Sequence, residues 1–203
     1  MADYAQAASE CEGSIRLTTI SNYDLYCHYV GGIVGESLPR TFFVSGKEPS
    51  CTDLYVELGH SWALFIQKID LIHDYREDVD QKRYLWPEEI WSRREYGFSA
   101  IWELHQAVEA DGSAETSEKA QKALYVQSEM IVDALRHATD ALDYLSMVRY
   151  QGLLTASSRM LCVGIANLEL CFMNRELFLG EVKFKNGEFD KASAFHSPLR
   201  RLW

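Results

Sequence analysis

Phe65-Ile66-Gln67-Lys68-Ile69-Asp70-Leu71-Ile72-His73-Asp74-Tyr75-Arg76-Glu77-Asp78 combines a helical apolar rhythm with carboxylates four residues apart. Asp70, Asp74 and Asp78 follow one another at i, i+4 and i+8. At about 100° per residue they drift across roughly 80° of a helix's circumference, and Gln67 falls in the same arc. Like charges so placed destabilise an isolated helix by about 0.2–0.5 kcal/mol per pair, so the pattern asks for a compensating cation. Carboxylate oxygens suit Mg²⁺, which typically takes one or two protein carboxylates plus phosphate oxygens and keeps several waters. The spacing points to a diphosphate held through metal by Asp70, Asp74 and Asp78. The competing reading is a solvated acidic face.

Thr52 caps the predicted helix, which runs through the acidic stretch to about Asp80. On it Leu64, Gln67, Leu71, Asp74 and Asp78 share one arc, apolar at one end and acidic at the other. That arrangement suits an amphiphile whose hydrocarbon tail lies on Leu64 and Leu71 while its diphosphate meets metal near Asp74 and Asp78. Lys68 stands at the edge of the arc, where an ammonium reaches diphosphate oxygens as a mobile point charge, or else pairs with Asp70 or Glu77. Arg76, Lys82 and Arg83 are candidates for closing over the phosphates, with a surface role as the alternative for each.

Upstream, Ser21 or Asn22 caps a helix reaching about Leu38, with Tyr26, Tyr29, Val30, Ile33 and Val34 at helical intervals. Gly31, Gly32 and Gly35 cost it about 1 kcal/mol each relative to Ala, which implies close approach by another helix or a ligand. Pro39 and residues 46–50 read as a break. Downstream, Pro87 opens a short helix to about Arg94, with Glu88 and Glu89 in its dipole-favoured first turn. Trp86, Trp91 and Trp102 read as packing. Residues 110–117 form a loop, and Ser117 caps a long helix burying Leu124, Ile131, Leu135, Leu142 and Leu145. A further helix spans about Gly152 to Leu179 with Gly180 as its C-cap, and residues 181–203 form an irregular tail.

Composition sets the limits. A chain of 203 residues that is 47% hydrophobic supports one domain, residues 1–203, with a sizeable core. A formal charge of −10 disfavours nucleic acid. No apolar run approaches a membrane span, and there is no secretory leader pattern. The 5 cysteines are scattered, which fits reduced thiols and a cytoplasmic setting.

Two flanking blocks widen the pattern. Tyr23-Asp24-Leu25-Tyr26-Cys27-His28-Tyr29-Val30-Gly31-Gly32-Ile33-Val34-Gly35 precedes the acidic helix, and Tyr84-Leu85-Trp86-Pro87-Glu88-Glu89-Ile90-Trp91-Ser92-Arg93 follows it. With the acidic helix between them, these blocks resemble the squalene and phytoene synthase family, and squalene synthases in particular, from Met1 to about Gly187. The resemblance implies an all-α isoprenoid synthase bundle, two or three Mg²⁺ ions and a farnesyl diphosphate substrate. It also matches Tyr26 to a position that assists proton transfer in the first condensation. In relatives the Met-Ala-Asp-aromatic start lies in mid-chain, after a first aspartate-rich motif. The resemblance therefore covers the C-terminal portion of the fold and implies upstream helices, on a separate chain or preceding this numbering.

Two departures from squalene synthases bear on the activity. Asp70 replaces the usual Asn, and Leu153-Leu154-Thr155-Ala156-Ser157-Ser158-Arg159-Met160-Leu161 lacks the aromatics and Pro-Gln pair that line the reductive pocket. A cation at Arg159 raises the energy of a neighbouring carbocation, so NADPH-dependent reduction is not expected. What remains is ionisation of farnesyl diphosphate and cyclisation to a sesquiterpene. The pattern looks like the squalene-synthase-derived fungal cyclases that make humulene-type products, in which Lys68 would ligate diphosphate and Leu64 would shape the chain-folding pocket. The alternatives are a squalene or presqualene diphosphate synthase and a non-catalytic helical partner subunit.

Overall fold

The computed structural model describes residues 15–111, 114–180 and 182. The segment opening with Met1-Ala2-Asp3-Tyr4 and all but Val182 of the tail from residue 181 lie outside the described residues. In chain order the elements are β1 (Ile15–Arg16), α1 (Ile20–Cys27), a π-helical turn (His28–Gly32), α2 (Ile33–Val44), α3 (Asp53–His73), α4 (Tyr75–Asp80), β2 (Arg83–Tyr84), α5 (Glu88–Trp91), α6 (Glu103–Glu109), α7 (Ala114–Leu135), α8 (Ala138–Met147), α9 (Gln151–Cys171) and α10 (Glu176–Leu179). The fold is all-α, and its strands are a single parallel pair of two residues each, Ile15 opposite Arg83 and Arg16 opposite Tyr84.

The chain gathers into two compact units. Of the described residues, the first holds those up to Tyr26 together with those of Leu71–Asp133 and Cys171–Val182, and the second holds Cys27–Asp70 and Ala134–Leu170.

An aromatic cluster forms the centre of the first unit. The Tyr75 ring lies 4.6 Å from Trp86 and 5.1 Å from Phe178, centroid to centroid. Its hydroxyl donates to the Ile101 carbonyl at 2.7 Å, and the Trp86 indole donates to the Leu71 carbonyl at 2.9 Å. Each buried ring thus pairs its polar atom, which removes the cost of hiding it. The strand pair fixes α5: Glu88 and Glu89 donate backbone N–H groups to Leu17 and Thr18, and the Glu89 carboxylate accepts from the Ile20 N–H at 2.9 Å. Pro87 precedes α5 as its cap rather than opening it, and the helix ends at Trp91 instead of Arg94. Trp86 and Trp91 are buried as expected, but Trp102 is exposed and lies beside Tyr84.

A glycine seam organises the second unit. An added Cβ on Gly35 would lie 2.3 Å from the Gly59 carbonyl oxygen and 2.5 Å from Ala63 Cβ, so α2 and α3 touch backbone to backbone. Tyr55 and Tyr144 stack with centroids 5.4 Å apart. Glu48, 3% exposed, accepts from the Arg149 and Tyr150 N–H groups and so caps α9, where its charge also meets the positive end of the helix dipole.

Several helix boundaries differ from the expectation, each for a local reason. Thr19, not Ser21 or Asn22, receives the capping N–H, from Asn22 at 3.1 Å. Pro39 sits inside α2 rather than ending it, and the helix continues to Val44. Thr52 caps α3 as read, accepting from the Tyr55 N–H at 3.2 Å. α7 begins at Ala114, inside the predicted 110–117 loop, so Ser117 lies within the helix rather than capping it. The helix breaks between Leu135 and Ala138, and Leu135 and Leu142 are exposed while Leu124 and Ile131 are buried. The last predicted helix is divided into α9 and α10, and Gly180 takes the left-handed conformation (φ 73°) after the second.

Candidate active site

The acidic stretch does not run as one uninterrupted helix. α3 ends at His73, Asp74 takes φ −87° and ψ 11°, and α4 resumes at Tyr75. The Asp78 N–H still bonds the Asp74 carbonyl at 2.9 Å, so these two residues stay one turn apart. Asp74 is half exposed, and its Oδ1 lies 2.9 Å from His73 Nδ1. Asp78 is buried, and its Oδ1 accepts from Arg83 Nε at 2.9 Å and Nη2 at 2.5 Å. Burial raises the Asp78 carboxyl above its ordinary value, the Arg83 guanidinium pulls it back down, and Asp74 and Glu77 push it up again. The result is an acidic corner with one open carboxylate and one carboxylate tied to a half-exposed arginine.

Arg76 is committed within the same unit. Its guanidinium donates to Asp80 at 3.1 Å, to Glu109 at 2.5 Å and to the Phe178 carbonyl at 3.2 Å. Three acceptors hold it as a clamp joining α4, α6 and α10. The Glu109 bond is the chief reason its own pKa is raised. Leu71 is buried, and its carbonyl receives the Trp86 indole N–H. Tyr26 is half-buried.

The remaining predicted residues belong to the second unit. Leu64 is buried, and Lys68 is only 1% exposed. An ammonium that deep persists only where its charge is compensated. Gln67 packs on Gly31, where an added Cβ would stand 3.0 Å from Gln67 Cβ. Asp70 opens onto a groove of about 410 Å³ lined by Ile66, Ile69, Arg159, Met160 and Val163 among others. This face of α3 is neither the Leu64 nor the Leu71 face. Ile66, Ile69, Met160 and Val163 were missed, because periodicity locates an apolar stripe without saying which part of it a neighbouring helix leaves open. Gly164, whose added Cβ would meet Ile69 Cδ1 at 2.8 Å, permits the close approach of α9.

Carboxylates are the right donors for Mg²⁺, and Asp74 and Asp70 offer them to solvent. Among the described residues, the trio of His, Cys, Asp or Glu groups with ligand atoms within 4.8 Å of one another is a different one, His28, Glu36 and His60. No helix among the described residues is long and apolar enough to cross a membrane.

The all-α fold is that of the isoprenoid synthase class. The squalene/phytoene synthase family model matches residues 4–168, and the chain belongs to that family. It is 39% identical over 193 residues to the squalene synthase of Ganoderma lucidum, covering 93% of this chain and 40% of that protein. It is 36% identical over 188 residues to the squalene synthase of Schizosaccharomyces pombe, covering 93% of this chain and 38% of that protein. The solved complex of TcSQS with the ligand BPH1237 superposes with a TM-score of 0.76 at 30% identity, covering 89% of this chain and 50% of that one. The chain thus spans about two fifths of the length of these curated relatives. These relatives carry the name squalene synthase, not that of a humulene-type cyclase.

Proposed function

We propose that this chain carries the diphosphate-handling part of a squalene synthase-type site, in which one farnesyl diphosphate is ionised and joined to a second. The observation that supports it most is the pairing of open Asp74 with buried, arginine-bound Asp78 one turn apart, in a chain related to squalene synthases. Asp74 would hold Mg²⁺, which when bound neutralises the departing diphosphate. Ionisation breaks the bond between C1 and the diphosphate oxygen, and the electron pair leaves with the diphosphate. The double bond of the second farnesyl chain then supplies electrons to the allylic cation, and a proton is lost. Half-exposed Arg83 is placed to trade Asp78 for a diphosphate oxygen, and Asp78 holds it ready until then. Tyr26 is proposed to accept or relay the proton, and Lys68 with Gln67, on the second unit's part of α3, to bind a diphosphate there.

The product proposed is presqualene diphosphate, without NADPH, because the segment Leu153–Leu161 lacks the aromatics of the reductive pocket. The proposal takes a second acidic motif from upstream helices or from another chain, in keeping with the limited share of the relatives that this chain spans.

A second reading, cyclisation of one farnesyl chain to a sesquiterpene, draws on the groove. At about 410 Å³ it is near the lower end of the roughly 300–1,000 Å³ common for small-molecule sites. Labelled farnesyl diphosphate with Mg²⁺, with and without NADPH, separates these readings. With the second acidic motif supplied, on upstream helices or a second chain, the condensation reading predicts diphosphate release and a C30 diphosphate that NADPH does not alter. A C15 hydrocarbon supports the cyclase, and no turnover supports the non-catalytic subunit.

A further inference from the structure

The π-helical turn at His28–Gly32 changes which side chains coincide on the first helical arm. Eight residues of regular α-helix would carry Glu36 about 80° past His28. A π-turn winds more slowly and brings Glu36 back over His28, where its Oε1 lies 3.9 Å from His28 Nδ1. From α3, His60 presents Nε2 to the same point, 3.0 Å from His28 Nδ1. All three groups are half-buried and belong to the second unit. The His60 ring rests on the backbone at Gly32, where an added Cβ would meet its Cδ2 and Nε2 at 2.6 Å. A side chain there would fill the space the ring occupies. Glu36 is steadied from its other side, since Arg40 Nη1 stands 3.5 Å from Oε2 and donates to the Glu36 carbonyl at 3.0 Å.

Two imidazole nitrogens and one carboxylate oxygen, on two helices, with ligand atoms within 4.8 Å of one another, match a known donor set. In a tetrahedral site with bonds of about 2.0–2.1 Å, ligand atoms stand ~3.3 Å apart. The separations of 3.0 and 3.9 Å bracket that value. We infer that His28, Glu36 and His60 form a site for a divalent transition ion of the zinc type, with the fourth position left to water. The site differs from the acidic corner in donor chemistry, because imidazole favours such ions whereas Mg²⁺ prefers oxygen ligands and its own waters. In the metal-free pair, one ring donates its proton to the facing nitrogen of the other. On binding, that ring moves the proton to its far nitrogen, so both facing lone pairs turn to the ion and net proton count is unchanged. The ion would pin the π-turn to α3 beside the glycine seam.

Calorimetric titration of the chelator-treated chain with Zn²⁺, in the absence of prenyl diphosphate, tests the inference. The expected result is one equivalent bound, unaffected by excess Mg²⁺, with binding weakened about a hundredfold in His60→Asn and at least tenfold in Glu36→Gln. Circular dichroism checks that each variant keeps its helices. Co²⁺ in place of Zn²⁺ should give visible absorption of a low-coordinate site that His60→Asn abolishes. No binding, or binding of equal strength in both folded variants, overturns the inference. The assay contains no substrate, so its outcome is independent of the proposed condensation.

Discussion

At Gly35 a single methyl group has no room, whereas at Asp74 half of the side chain faces solvent. The glycine seam of the second unit is specified by shape, through backbones in contact and rings seated on them. The acidic corner of the first unit is specified by charge, through a carboxylate–arginine pair at the edge of a buried aromatic cluster. Shape tolerates no addition, while charge tolerates exchange of partners. That is the division expected if one region holds the fold and the other meets a charged ligand.

The largest effect should come at the seam. Gly35→Ala places a carbon 2.3 Å from the Gly59 carbonyl oxygen, so backbone must shift, and a loss of about 3 kcal/mol is expected in urea unfolding. A loss below about 1 kcal/mol would mean that the helices part easily and that shape is not the constraint.

Much of the seam could be read from Gly31, Gly32 and Gly35 within an apolar helical rhythm, because small residues at helical spacing announce close packing. The Thr52 cap and the Gly180 stop were legible for the same reason, since each acts within one turn of its own helix. The break at Asp74 was not legible, because the i, i+4 spacing of the aspartates persists through it. Glu48 escaped notice because its partners, the N–H groups of Arg149 and Tyr150, lie a hundred residues away in the chain. Of the candidate site, the one-turn spacing of Asp74 and Asp78 was legible. Sequence could not foretell that Asp78 is buried against Arg83, that Arg76 is held by Glu109 and Phe178, or that Lys68 is buried.

The aromatic cluster beneath the corner should respond next. Tyr75→Phe keeps the ring but removes the donor to the buried Ile101 carbonyl, and about 1–2 kcal/mol should be lost. Loss near zero would show that water reaches that carbonyl.

The smallest effect belongs to Asp78, and its sign distinguishes a charge site from a packing site. Its carboxyl is raised in the folded chain, chiefly by burial, so the native state holds the proton more tightly than the unfolded one. That contribution to stability is full below the unfolded value and is lost as pH rises through the folded one. Asp78→Asn removes the loss, and the variant should gain on the parent in unfolding experiments as pH rises from 3 to 7. Relative destabilisation growing with pH over that range would show that the Arg83 pair outweighs burial.

The most direct measurement is the affinity of the chain for farnesyl thiodiphosphate, an analogue slow to ionise, with and without Mg²⁺. The account predicts Mg²⁺-dependent binding that falls about tenfold or more in Asp74→Asn, since a metal-held diphosphate loses one of its few protein ligands. Binding that ignores both Mg²⁺ and the Asp74 substitution would contradict it.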